Sequence, residues 1–132
     1  MAKPDIMNRH DLEIIVNSFY EKVKKDQTIG FMFSHVDWDK HLPVMYDFWE
    51  NVLFYSGNYS GNPMAKHMMA HNRNPMTPEH FEHWLLLFFE TVDGLYSGKN
   101  SKLLKERAKS IATIMQIKIL GIHPTVPVIE NN

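Results

Sequence analysis

The stretch TPEHFEHWLLLFFETVDGL (residues 77–95) decides the fold, because it predicts a long helix that is apolar around most of its circumference. Thr77, Pro78 and Glu79 form a helix start, with a hydroxyl that can cap, a proline suited to the first position and an acid in the first turn. Apolar side chains then recur three and four positions apart, at Phe81, Trp84, Leu85, Phe88, Val92 and Leu95. We therefore expect this segment to be the central helix, ended by Gly98.

Three other segments show the same helical periodicity. The first follows a capping residue at Asn8 or Asp11, the second follows Trp38, and the last ends at Gly121. The segment DQTIGFMF between the first two is too short for a long helix, so we predict a single helical turn there. The pattern shows no strands and no repeats. It predicts one all-α domain over residues 1–121, with four main helices and two short ones, followed by a loosely ordered tail at residues 122–132.

His41 and Pro43 lie at the start of the second of these segments. Pro43 is expected in the first helical turn, where its missing N–H costs nothing. It should also push Leu42 away from helical dihedrals. His41 would then lie just before the regular helix, on a segment able to move, and could act as a gate. A histidine at the edge of an apolar face is, however, more often a packing residue than a functional one.

Composition excludes several kinds of function. The chain has 132 residues, 44% of them hydrophobic, and no cysteine, which rules out disulfides, thiolate metal sites and cysteine nucleophiles. Its net charge is −1 with no block of like charge, so we expect no binding to nucleic acid or to a membrane surface. There is no signal-peptide pattern and no apolar run of membrane-span length. We expect a cytoplasmic protein.

Four of the eight histidines lie close together in sequence, at His67, His71, His80 and His83. His67 and His71 are four positions apart on a predicted short helix, which is the spacing of a zinc pair. A catalytic glutamate between them is absent, and the spacing of the glutamates beside His80 and His83 does not suit a di-iron bundle. We expect His80 and His83 to be exposed. The alternative that composition alone favours is a helical interaction domain with incidental histidines.

A haem pocket is the third interpretation. It needs a neutral imidazole as the proximal ligand, a flat apolar slot, and polar groups on the distal side. The chain offers His67 as the ligand. The proposed walls are Phe33, Met45, Phe48 and Phe88, and the distal O–H or N–H groups belong to Tyr20, His41 and Trp84.

A family resemblance supports the third interpretation. The strings that carry it, in chain order, are FYEKVKKD (19–26), GFMF (30–33), Trp38 and His41 before DFW (47–49), YSGNPMAKH (59–67) and HFEHWLLLF (80–88). In this order and spacing they resemble the third group of the truncated haemoglobins, over roughly residues 8 to 120. The resemblance implies a two-over-two helical sandwich holding one haem b.

The resemblance also implies roles for individual residues. It makes His67 the proximal ligand, with His71 as its rival. It makes Tyr20, His41 and Trp84 the distal residues. In the pocket wall, Phe33 braces the haem and Phe48 and Trp49 match an aromatic pair of the family. Met45 occupies a position where another bulky apolar residue normally faces the ligand. Apart from the resemblance, Lys66 and Arg73 flank the proximal segment, where they could pair with the haem propionates; the alternative is that both are exposed surface residues.

The expected function is the binding of a diatomic gas, O2, NO or CO, with no catalytic residue assigned. Two hydrogen-bond donors in an apolar pocket, the Tyr20 hydroxyl and the Trp84 N–H, favour slow oxygen release. Slow release suits oxygen handling, NO dioxygenase chemistry or peroxidase-like chemistry better than rapid oxygen delivery. We expect a monomer that depends on a reductase which the sequence does not identify.

Overall fold

The computed structural model describes residues 3–34, 36–59, 61 and 75–121. Helices account for its regular structure, and no strand occurs in these ranges, so the all-α prediction is confirmed. Nor does any helix in these ranges have the length and apolar character that crossing a membrane requires. The long helices are α1 (Arg9–Lys25), α2 (Trp38–Phe54), α3 (Pro78–Leu95) and α4 (Lys99–Met115), with a 3₁₀ turn at Gly30–Phe33 and a π-helical turn at Gln116–Leu120.

The four long helices pack as two pairs, α1 with α2 and α3 with α4. Between the pairs, α1 contacts α3 and α2 contacts α4. The apolar stripe of α1 is buried throughout, and at its middle Phe19 meets Phe88 of α3 edge to face with 5.2 Å between ring centroids. Both rings are almost completely shielded from solvent. Burial of apolar area at this junction is the main driving force for the fold.

The start of α3 is the one that the sequence predicts. The Thr77 hydroxyl accepts the His80 backbone N–H at 3.3 Å, and Pro78 occupies the first helical position. His80 completes a capping box, because its Nδ1 accepts the Thr77 backbone N–H at 3.1 Å. The apolar character around most of α3 does not mean burial on every side, since Leu86 is 52% exposed and one side of the helix faces solvent.

Gly98 starts α4 instead of ending α3, which stops at Leu95. Its φ of 143° lies in the region that favours glycine, and a Cβ there would come within 2.6 Å of the Asp5 carboxyl carbon. The Asp5 carboxylate accepts backbone N–H groups of Asn100 at 2.8 Å and Ser101 at 2.9 Å. Burial raises the pKa of Asp5, but these hydrogen bonds outweigh it and leave the pKa below its ordinary value. The segment before α1 therefore caps α4.

Both ends of α1 are held by side chains. Asn8 caps its start, accepting the Asp11 backbone N–H at 3.2 Å, which confirms one of the two predicted caps. At its other end the Asp26 carboxylate accepts the backbone N–H groups of Thr28 at 2.8 Å and Ile29 at 3.0 Å. The chain then enters the predicted short turn, which is a 3₁₀ turn. Asp26 thus directs the chain from α1 towards α2.

The predicted start of α2 was wrong. The helix begins at Trp38, so His41 already lies within its first turn and donates its backbone N–H to the Asp37 carbonyl at 2.9 Å. Pro43 lies inside the helix and not in its first turn, and Leu42 keeps its helical conformation. Proline has no backbone N–H, so at this interior position it removes the hydrogen bond that would go to the Asp39 carbonyl.

Candidate functional site

A cavity of about 310 Å³ lies where the four helices and the 3₁₀ turn meet. This is the lower end of the range of roughly 300–1,000 Å³ that small-molecule sites occupy. Most of its described lining is apolar and aromatic, with a few polar atoms among the hydrocarbon. Such a lining suits a flat apolar ligand that is oriented by a few hydrogen bonds.

Tyr20 supplies one of these polar atoms, from the buried face of α1. Its ring packs edge to face against Phe33 at 5.9 Å and against His41 at 5.4 Å. Burial raises the pKa of Tyr20 well above its ordinary value, since no described residue stabilises the charged form. The phenol therefore stays protonated near neutral pH and offers an O–H donor.

His41 lines the same cavity from the first turn of α2. Its ring lies edge to face on Tyr20 and on Trp38, whose centroid is 5.5 Å away. These contacts and the helical backbone position the side chain beside Tyr20. The movable segment that the sequence predicts for His41 is therefore replaced by a helical turn.

Trp84 reaches the cavity from α3 as part of an aromatic stack. It lies nearly parallel to Phe88, with 5.5 Å between ring centroids, and stacks on Trp49 at 6.3 Å. Trp49 also lines the cavity, whereas Phe88 is fully buried behind it. Phe88 was proposed as a wall residue from its helical stripe. The structure instead places it one layer further in, where it supports the two tryptophans.

The other proposed wall residues in the described ranges are brought together. Phe33, Met45 and Phe48 all line the cavity. Sequence reasoning did not assign the other lining residues to the cavity: Ile29, Met32, Val36, Tyr59, Met76, His80, Phe81, Ile111, Ala112 and Met115. The last three lie on the apolar stripe of α4, which helical periodicity reveals.

Tyr59 is the missed residue with the most chemical character. It packs edge to face on Phe48 at 5.1 Å, and burial raises its pKa. Its hydroxyl is buried and has no hydrogen-bond partner among the residues that the structure describes. A buried hydroxyl of this kind is costly unless something satisfies it. The cavity residues therefore fit an apolar cofactor that carries polar groups.

The proposed proximal side falls outside the described ranges. His67, its rival His71, and the two proposed propionate partners Lys66 and Arg73 all lie between residues 62 and 74. Their assignments stay predictions.

The sequence predicts that His80 and His83 are exposed, but this was wrong. Both are partly buried and make polar contacts. His83 Nε2 lies 2.6 Å from the Asp26 carboxylate. His80 Nδ1 accepts a backbone N–H, so the ring proton is on Nε2 and no lone pair remains there for a metal. Within the described ranges no three His, Asp or Glu side chains form a group that could hold a metal ion.

Comparison with known proteins places this sequence and fold in a family. The bacterial-like globin model matches residues 6–118. The group 3 truncated haemoglobin Ctb of Campylobacter jejuni is 31% identical over 120 residues, covering 86% of this chain and 92% of that protein. The chain belongs to the group III truncated haemoglobins. The crystal structure of the group III truncated haemoglobin from Campylobacter jejuni superposes on this globin with a TM-score of 0.79, covering 89% of this chain and 94% of that one.

Membership confirms the family and the two-over-two helical sandwich that the sequence predicts. It also implies a haem cofactor and a diatomic ligand, the function of this family. The cavity is consistent with both, because it combines an apolar slot with the O–H and N–H groups of Tyr20, His41 and Trp84. The physiological role of this globin is a separate question.

Proposed function

We propose that this globin binds one haem b through His67 and holds O2, NO or CO beside Tyr20, His41 and Trp84. One observation carries the proposal. The three polar side chains come from α1, α2 and α3, and all three line one otherwise apolar cavity. Polar side chains from three different helices that line one apolar cavity suit a ligand that is oriented by hydrogen bonds.

His67 is the proposed proximal ligand because it ends the string YSGNPMAKH, which resembles the family. It would bind the iron as neutral imidazole, with its other N–H oriented by a carbonyl or carboxylate. His71 is one helical turn further along the chain and is the alternative ligand. Lys66 and Arg73, on either side, would pair with the propionates.

Haem iron, when bound, supplies the coordination position at which a diatomic ligand is held. The residues of this chain determine how long the ligand stays. The Tyr20 hydroxyl and the Trp84 N–H both donate, and a donor is worth more in an apolar cavity than in water. The wall formed by Phe33, Met45 and Phe48 keeps competing water away from these donors.

Two donors favour a role in which oxygen is retained. Slow oxygen release suits oxygen handling, NO removal or peroxide chemistry, and turnover of either kind would draw electrons from a reductase. We propose a cytoplasmic monomer whose globin domain spans residues 1–121. The proposed loosely ordered tail, residues 122–132, lies outside the described ranges.

An absorption spectrum tests this function directly. The purified protein should show a Soret band that shifts when the reduced form binds CO. His67→Ala should lose haem or its normal ligation, and His71→Ala is the matched control that should retain both. A colourless protein that takes up no added haemin would overturn the proposal. Stoichiometric zinc without visible absorption would favour the histidine-metal alternative, and neither metal nor haem would favour the interaction-domain alternative.

A further inference from the structure

A second depression lies on the protein surface directly outside the cavity. Its volume is about 400 Å³, and it lies between the end of α1, the 3₁₀ turn and the start of α2. Phe33 lines both the depression and the cavity, and Trp38 lines the depression. Over the part of the chain that the structure describes, these aromatic side chains separate the depression from the ligand site.

The separating layer is a stacked pair. The rings of Phe33 and Trp38 lie 6.0 Å apart at an angle of 24°. Behind them the Tyr20 ring is 4.9 Å from Trp38, so the hydroxyl proposed to hold the ligand lies just inside this layer. Trp38 is the first residue of α2 and is only partly buried, so one side of its ring faces solvent while the other packs on Tyr20.

A lysine holds the outer ring in place. The Lys24 ammonium lies over the Trp38 ring, 4.7 Å from its centroid, and the same ammonium is 3.3 Å from the Glu21 carboxylate. A cation over an indole face is attracted by the ring quadrupole. Lys24 therefore favours the closed arrangement, in which Trp38 covers Phe33 and Tyr20.

We propose that ligands pass between solvent and the cavity through the Phe33–Trp38 pair, and that Trp38 determines which sizes of ligand pass. The proposal rests on the haem function proposed above. A diatomic gas needs only a small displacement of stacked rings. A longer ligand needs the indole to swing out and give up its contacts with Lys24 and with the rings of Phe33, Tyr20 and His41. In this proposal Trp38 and Lys24 determine the rate and size selectivity of binding, and the Trp38 ring in addition supports Tyr20 and His41.

Association rates after flash photolysis test this route, with CO and n-butyl isocyanide as the two probes. Trp38→Ala should raise the rate for n-butyl isocyanide roughly tenfold or more, since it removes three aromatic contacts and a cation–π contact, and should raise the CO rate much less. Lys24→Gln should raise the isocyanide rate about two- to five-fold. Lys24 is on the surface, so this variant keeps the test valid if Trp38→Ala does not fold.

The chain offers a matched control pair elsewhere. Lys105 lies 5.9 Å from the Phe89 ring in another cation–π contact, and neither residue lines the depression or the cavity. Phe89→Ala and Lys105→Gln should leave both association rates unchanged. The proposal is overturned if Trp38→Ala leaves the ratio of the two rates unchanged, or if His41→Ala alone opens the site to the isocyanide.

A measurement on the haem-free protein separates this proposal from the haem assignment. Lys24→Gln should increase the acrylamide quenching of tryptophan fluorescence, because Trp38 becomes more exposed, and Lys105→Gln should not. A reduced protein that binds no CO would refute the proposed function. Unchanged quenching in Lys24→Gln would refute the lysine clamp whether or not haem binds.

Discussion

Two tyrosines in this globin are matched in burial and differ in what their hydroxyls do. Tyr20 and Tyr96 are each 6% exposed, and burial raises the pKa of both, that of Tyr96 to about 12. The Tyr96 hydroxyl donates to the Asp11 carboxylate at 3.1 Å. The Tyr20 side chain lines the cavity, and no described residue accepts a hydrogen bond from it. Replacing each by phenylalanine should therefore give opposite results.

Tyr20→Phe should change ligand release and leave stability nearly unchanged. A hydrogen bond to a neutral group contributes about 0.5–1.5 kcal/mol and one to a charged group about 1.5–3 kcal/mol, so a partly charged oxygen ligand should lose roughly 1–2 kcal/mol. This corresponds to an oxygen dissociation rate about 5 to 30 times faster. The free energy of unfolding should shift by less than about 0.5 kcal/mol, because no hydrogen bond within the described protein is lost.

Tyr96→Phe should do the reverse. It removes a hydrogen bond to the partly buried Asp11 carboxylate, which should lower the free energy of unfolding by roughly 1–2 kcal/mol. Tyr96 does not line the cavity, so the oxygen dissociation rate should stay at the wild-type value.

Stopped-flow displacement of oxygen by excess CO gives the dissociation rates, and urea unfolding of the same samples gives the stabilities. Trp84→Phe should also speed oxygen release, since it removes the second proposed donor. If Tyr20→Phe is as unstable as Tyr96→Phe and releases oxygen at the wild-type rate, then Tyr20 is a core residue and its assignment as a distal donor fails.

Two further changes concern the scaffold. Pro43→Ala should raise the free energy of unfolding by about 1–2 kcal/mol in urea unfolding, because it restores the hydrogen bond to the Asp39 carbonyl; an unstable variant would show that the proline relieves strain in α2. Asp5 and Asp26 have folded pKa values below their ordinary values, so the stability they contribute is complete above the unfolded pKa of about 3.9 and is lost as the pH falls through the folded pKa. Urea unfolding from pH 7 to pH 3 should show this loss, and a D5N/D26N double variant that loses stability just as steeply would contradict it.

The features that sequence predicted best are those determined locally. The caps at Asn8 and Thr77 and the helix end at Gly121 depend on residues within one turn of themselves. The start of α2 could not be predicted from local residues. The preference of proline for the first helical turn is overridden here, and Pro43 lies inside the helix with the loss of one backbone hydrogen bond. The sequence predicts Gly98 at the wrong helix boundary, because its conformation depends on packing against Asp5, which is far away in sequence.

The candidate site also has a part that the sequence predicts and a part that depends on tertiary packing. Periodicity identifies the buried face of each helix, so Tyr20, His41 and Trp84 could each be placed on such a face. Periodicity does not distinguish a residue that lines a cavity from one packed behind the lining. The sequence therefore could not show that Trp49 lines the cavity and that Phe88 lies behind it. The contact between His83 and Asp26 joins α3 to the end of α1 and has no local signal at all.

The stack of Trp49, Trp84 and Phe88 gives this globin a built-in optical reporter. Two of its three tryptophans line the cavity, and their rings lie 6.3 Å apart. Indole emission overlaps the absorption of a porphyrin, so energy transfer should extinguish both fluorophores when the site fills. Titrating haemin into the unlabelled apoprotein would then give its stoichiometry and affinity. Trp38 packs on the cavity-lining rings of Tyr20 and Phe33, so its emission should be lost in the same titration.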